Sequence, residues 1–154
     1  MTTITELFTG LDKTFWTQGR LETYGKWPFK PKDGTCTAER MATAGFFVVE
    51  GTDDVDVSVE CFICKKQLDG WEPNDDPWQE HSKHQADCPY VLLNKQDEKQ
   101  WTIDDLFLLI KAYFIKQCTG TTNEVVKTIK WNSATMAKKI PKIYRAQRYS
   151  RKGK

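Results

Sequence analysis

The sequence predicts an α+β chain: a small domain of short helices and antiparallel strands, followed by a long C-terminal helix. Three observations carry this. The stretch "CFICKKQLDGWEPNDDPWQEHSKHQADC" (61–88) holds three of the five cysteines and both histidines. Apolar residues make up 39% of the 154, below the roughly 45–50% of an ordinary globular domain, so the core is small and needs a staple. Residues 101–118 are strongly apolar at helical spacing, after a polar connector at 94–100.

The elements follow in order. Residues 1–10 read as loosely ordered. "LDKTFWTQGRLETY" places Leu11, Phe15, Leu21 and Tyr24 in a helical pattern, and "GKWPFKPKDG" ends it with prolines and glycines. "TAERMATAG" is a short helix, with Thr37 to cap its start and Gly45 to close its end. "FFVV" (46–49) and "VSVECF" (57–62) are strands around the acidic turn "EGTDDVD". "DPWQEHSKH" is a helix with Asp76 at the N-cap, Pro77 at the first helical position and Gln79 in a capping box. In the C-terminal region, "CTGTTN" (118–123) is a place where the helix can break, and "EVVKTIKWNSATMAKKI" resumes it up to Pro141. The end, "YRAQRYSRKGK", reads as disordered. There is no internal repeat.

Charge divides the chain. Its net +2 conceals ten Lys/Arg and no acid in residues 125–154, against a net of −8 in residues 1–124. An acidic region followed by a basic one fits two partners of opposite charge. The first ten residues lack a basic start and an apolar run, so no secretory leader is expected. No apolar stretch reaches about 18 residues, so no membrane partner is expected either. Reduced cysteines favour metal binding over disulfides.

Cys61 and Cys64 can place two thiolates on one tight turn, the usual knuckle for tetrahedral zinc. A histidine and Cys88 complete a closed Cys3His set. Spacing does not choose between His81 and His84, since both lie near the face of Cys88 on a helix. Cys36 and Cys118 stand apart and read as buried free thiols. A closed zinc site cannot activate water, and no Ser-His-Asp or Cys-His pair is left over, so an enzyme is disfavoured.

"KKQLDGWEPNDD" clusters Asp69, Glu72, Asp75 and Asp76 around Leu68 and Trp71. Carboxylates beside an aromatic wall can hold a free α-amino group and the small side chain after it. Read from the residues alone, a solvated acidic loop with Trp71 and Trp78 in the core stands equally beside that. Trp78 follows the helix-opening proline and fits packing better than binding.

"CFIC", "GWEPNDDPWQEH" and Cys88, seven residues on, with "KWPF" (26–29) and "CTAERMATAGF" (36–46), resemble the baculovirus inhibitor-of-apoptosis repeat, or BIR, over residues 12–93. A single repeat followed by a long helix is most similar to the survivin-like subgroup. The resemblance implies short helices around a three-stranded antiparallel sheet and one structural zinc held by Cys61, Cys64, His81 and Cys88. It implies a groove for the phosphorylated N-terminal tail of a histone, beginning Ala-Arg-Thr. Leu68, Asp69, Trp71 and Asp75 match the positions that take the amine, alanine and arginine, and Lys66 and His84 those that face the phosphothreonine. Asn74 and Asp69 replace an aspartate and a glutamate of the family pattern. No second Cys/His cluster is present for a RING finger.

The resemblance further implies a layout of N-terminal segment (1–11), zinc domain (12–93), connector (94–100), helical partner-binding region (101–140) and basic tail (141–154). "WTIDDLFLLIKAYFI" is apolar on more than one face, more than a lone surface helix needs. Ile103, Leu106, Phe107, Ile110 and Phe114 are its candidate interface residues. The partners implied are borealin-like and INCENP-like subunits with Aurora B kinase, and a homodimer through the start of the helix. Asp12 and Asp97 replace the aromatic residues expected for that dimer. The basic tail can contact DNA phosphates without sequence preference. The implied role is a non-enzymatic mitotic adaptor at the chromosome, centromere and spindle midzone, and in the cytoplasm. The alternative is an apoptosis inhibitor that binds caspases or their Ala-initiated antagonist peptides.

Overall fold

The computed structural model describes residue 8 and residues 10–49 and 57–151, with side chains through 136 and at 138. The loose N-terminus, other than Phe8 and Gly10, and the acidic turn expected between the first two strands lie outside the described residues.

The first helical stretch is broken into three pieces: a 3₁₀ turn Lys13–Phe15, helix α1 Thr17–Leu21 and a 3₁₀ turn Glu22–Tyr24. Asp12 caps the first by accepting from Thr14 N at 2.8 Å. Trp16 is extended (φ −97°, ψ 144°), so the chain changes direction before α1. At Gly19 a Cβ would overlap the Lys13 carbonyl, so only glycine lets α1 pack this closely on the preceding turn. Arg20 is consequently driven fully into the interior. Its Nε donates to Ala42 O (2.8 Å), Nη1 to Phe15 O (2.7 Å) and Nη2 to Thr17 Oγ1 (2.9 Å), and the guanidinium lies 4.3 Å from the Phe62 ring centroid. A buried cation is tolerated because its donors are met.

Helix α2 (Ala38–Thr43) is capped by Thr37, which accepts from Arg40 N, and Gly45 closes it at φ +95°. Three strands form one antiparallel sheet in the order β1 (Phe46–Val48), β2 (Val59–Cys61), β3 (Gln67–Leu68). Phe46 faces Cys61 and Val59 faces Leu68, which puts Phe46, Val59 and Cys61 in the core. Helix α3 (Pro77–His84) and helix α4 (Pro89–Leu93) follow; Asp76 Oδ1 caps α3 by accepting from Trp78 N (3.0 Å) and Gln79 N (3.1 Å).

A third 3₁₀ turn (Glu98–Gln100) leads into helix α5, Ile103–Arg151. Glu98 ties this connector back to the N-terminal turns, accepting from Thr17 N at 2.5 Å and Thr17 Oγ1 at 2.6 Å beside Arg20. Thr102 and Asp105 cap α5 reciprocally, and Lys95 Nζ lies 2.6 Å from Asp105 Oδ2. Leu109, Ile110 and Tyr113 are buried in the same cluster as Phe15, Phe46, Phe62 and Tyr90. Phe15 meets Phe62 and Tyr113 edge-on at 5.4 and 5.6 Å. The chain divides into a compact unit ending at Lys116 and a second unit, Gln117–Lys154.

Three expectations are corrected. The helix does not break at 118–123: Thr121 and Thr122 turn their hydroxyls onto the carbonyls of Gln117 (3.1 Å) and Cys118 (2.8 Å), so both side chains are satisfied inside the helix. The backbone stays helical past Pro141 and through Arg151, in place of a disordered end. Cys118 is exposed, because the turns around it have no core to enter, while Cys36 is buried as expected.

Candidate metal centre and peptide groove

Cys61 ends β2, and the chain turns sharply so that Cys64 comes back beside it. Lys65 takes the left-handed conformation (φ 61°) that this turn requires, and Lys65 N closes it by donating to Cys61 O at 3.1 Å. The amides of Ile63 and Cys64 point at Cys61 Sγ from 3.4 and 3.5 Å, an arrangement that favours thiolate. His81 lies on the second turn of α3, where the Asp76 cap fixes the helix start. Its Nδ1 contacts Ala44 O at 2.8 Å, which makes Nδ1 the proton donor and leaves Nε2 free to ligate. Cys88 immediately precedes α4.

The four ligand atoms lie within 4.8 Å of one another, with Cys61 Sγ 4.0 Å from Cys88 Sγ and Cys64 Sγ 3.6 Å from His81 Nε2. Zinc at the usual bond lengths in a tetrahedron would hold its ligands about 3.5–3.8 Å apart, so the set needs only a small contraction. The proton chemistry fits as well. Burial pushes the Cys61 thiol well up, while hydrogen bonds from Cys61 and Cys64 drive Cys88 far down. Burial pulls His81 down, but Cys64 and Cys88 outweigh it and raise the imidazole to about 9. These groups compete for protons in one buried space; a divalent cation replaces the protons and ends the competition. His84, 43% exposed, lies outside this cluster.

Beside the metal centre is a cleft of about 320 Å³ lined by Leu68, Asp69, Gly70, Trp71, Glu72, Asp75, Glu80, Lys83 and His84. Of the groove residues expected from the sequence, it brings together Leu68, Asp69, Trp71, Asp75 and His84; Lys66 does not line it. Trp71 packs edge-on against Phe46 at 5.7 Å, so the aromatic wall is anchored in the core. Asp75 Oδ2 accepts from Glu72 N at 2.8 Å, which orients its carboxylate. Glu80 and Lys83 were not among the expected groove residues. They share one face of α3 with His84, and Glu80 Oε2 sits 3.2 Å from His84 Nε2. That i, i+4 relation is readable in "EHSKH". Trp78 packs on Tyr90 at 5.5 Å and does not line the cleft.

The Inhibitor of Apoptosis domain (BIR) family matches residues 20–92. "Baculoviral IAP repeat-containing protein 5" of Rattus norvegicus is 35% identical over 124 residues, 80% of this chain and 85% of the relative. The Mus musculus protein of the same name is 34% identical over 124 residues, with 80% and 86% covered. The chain belongs to the baculoviral inhibitor-of-apoptosis repeat family. Within the BIR family it is a survivin homologue. "Baculoviral IAP repeat-containing protein 5.2" of Xenopus tropicalis is 48% identical over 80 residues, 52% of this chain and 50% of the relative. The chain thus spans about half the length of the Xenopus relatives it matches. Its Cys61, Cys64, His81 and Cys88 fit the structural zinc of a BIR domain. A Cys3His set closes all four positions of the metal and leaves none for an activated water.

The expected interface residues of α5 are placed unequally. Ile103 (72%) and Phe107 (49%) are exposed, Leu106 and Phe114 are half-buried, and Ile110 belongs to the core. Ile110 therefore leaves the set that a partner could reach, because it shares a buried stripe with Tyr113, which packs on Phe15. Leu108 and Ile115, also exposed, line an apolar cavity of about 510 Å³ with Pro89, Leu92, Leu93, Lys111 and Ala112.

Proposed function

We propose that the cleft reads a free N-terminal alanine followed by a phosphorylated threonine, as in a mitotic histone tail, and that α5 carries the chain into a chromosomal passenger assembly. The observation that carries the reading is the convergence of Asp69, Asp75 and Glu80 on the Leu68–Trp71 wall in a space sized for one or two residues. An α-ammonium can donate charge-assisted hydrogen bonds to those carboxylates, and the apolar wall takes the methyl group. His84 and Lys83, at the other sign of charge, suit a phosphate two residues on. Lys66 supports phosphate binding only through its long side chain reaching in from outside the lining.

The apolar cavity beside α4 and the exposed Ile103, Phe107, Leu108 and Ile115 suit helices of borealin-like and INCENP-like subunits, which would localise Aurora B kinase. The same surface suits a homodimer. The basic residues after 124 suit weak contact with DNA. No helix among the described residues is long and apolar enough to cross a membrane. The expected locations are the nucleus, centromere and spindle midzone in mitosis, and the cytoplasm. The family name favours a second reading, binding of caspases or their Ala-initiated antagonists through the same amine pocket.

Calorimetry with an Ala-Arg-phosphothreonine peptide tests the first reading. Acetylation of the peptide should abolish binding, and Asp75→Ala should weaken it about 10- to 100-fold with the zinc retained. Loss of phosphate should cost affinity in the wild type and little in His84→Ala. Equal binding of free and acetylated peptides refutes the amine pocket; indifference to phosphate favours the caspase-pathway reading.

A further inference from the structure

We propose that Thr35, with Gly34 beside it, positions the Asp75 side of the groove. The inference rests on the amine-pocket reading above. Asp75 sits on a turn, Glu72–Asp75, closed by Asp75 N donating to Glu72 O at 3.1 Å. The turn is short and half-exposed, and it carries the carboxylate that would meet the ligand. It is held from behind by two consecutive residues that do not line the cleft. Thr35 Oγ1 donates to Asp75 O at 2.9 Å, and Cys36 N donates to Pro73 O at 2.9 Å.

Those anchors are themselves fixed in the interior. Cys36 is fully buried, its carbonyl accepts from Trp27 Nε1 at 2.8 Å, and Thr37 caps α2 directly after it. Gly34 allows the approach: a Cβ there would overlap Pro73 O and lie 2.8 Å from Asn74 Oδ1. On the far side of Asp75, Asp76 is tied to Arg40 at 2.5 Å and caps α3, the helix that brings Glu80 and His84 to the cleft. Asp75 is therefore pinned through its own carbonyl on one flank and through its neighbour on the other. Glu72 N still holds the carboxylate within the turn, so freeing the Thr35 flank shifts turn and carboxylate together by the fractions of an ångström that a charge-assisted hydrogen bond does not tolerate.

The test compares Thr35→Val, which removes the hydroxyl and keeps the shape, with Thr35→Ser, which keeps the hydroxyl. The probes are an Ala-initiated peptide with a free amine and its acetylated twin, with zinc content and melting temperature measured in parallel. Thr35→Val should bind the free-amine peptide about 3- to 10-fold more weakly, with zinc and melting temperature unchanged. Thr35→Ser should restore wild-type affinity, and Gly34→Ala should lose more than Thr35→Val. If the wild type discriminates the two peptides and Thr35→Val matches it, the inference fails alone. If the wild type does not discriminate them, the amine pocket fails and the inference with it.

Discussion

The unit ending at Lys116 and the helix beyond it use apolar residues in opposite ways. In the first, Phe15, Phe46, Phe62, Met41 and Tyr90 are wholly buried, around a metal set and a buried arginine. In the second, Val125 (53%), Ile129 (61%), Trp131 (69%) and Met136 (60%) stand in solvent. The first region buries a core of its own while leaving Ile103, Phe107, Leu108 and Ile115 exposed; in the second, the described apolar residues beyond Lys116 belong to no buried core. Exposed apolar side chains on a helix that is basic and free of acids after Glu124 fit the partner surface proposed above. Substitutions beyond Lys116 should therefore affect partner binding far more than stability.

The largest expected effect is on the first region. Zinc binding to small domains is worth on the order of 10 kcal/mol, comparable with a domain's whole stability. Chelation, or Cys64→Ser, should abolish the cooperative thermal melt followed by near-ultraviolet dichroism. A melt that survives chelation would mean that the aromatic cluster suffices without the metal. Arg20→Leu comes next: it strands the carbonyls of Phe15 and Ala42 and leaves Glu98 facing no buried cation, at about 3 kcal/mol. Urea unfolding reads this directly, and a loss below about 1 kcal/mol would show that water replaces the guanidinium. The smallest effect on stability belongs to Ile129→Glu, which should stay within about 0.5 kcal/mol of wild type in the same titration. Association with a helical partner, followed by size exclusion, should drop sharply. A clear loss of stability in the chain alone would show that Ile129 is packed internally, and the contrast between the regions would fail.

Much of the first region was legible because its determinants are local. The Cys61-x2-Cys64 knuckle, the Asp76 and Thr37 caps and the two longer strands each follow from residues a few positions apart. Strand β3 escaped the residue-by-residue reading because two residues carry no period, although the family resemblance implies it. Helix α4 was passed over although Pro89 stands at its first turn. The burial of Arg20 depends on Ala42, Phe62 and Glu98, which no local pattern brings to it. The course of α5 through 118–123 stayed open in the sequence for the opposite reason. Glycine and threonine there weaken helix propensity, yet the threonine hydroxyls fold back onto the helix and the cost of Gly120 is only about 1 kcal/mol. Of the groove, the loop side was legible in "LDGWEPNDD", while the contribution of Glu80 and Lys83 emerged only with the facing of α3.

The burial of Leu109, Ile110 and Tyr113 with Phe15 and Phe62 sets an order of events during synthesis. The family match, residues 20–92, takes in Phe62 and Tyr90 but neither Phe15 nor Tyr113, so the ring cluster is still open on one side when residue 92 is made. A nascent chain must emerge past Tyr113 before Phe15, among the earliest core residues made, acquires its last neighbour. The domain thus stays incomplete during synthesis until the base of α5 has been delivered.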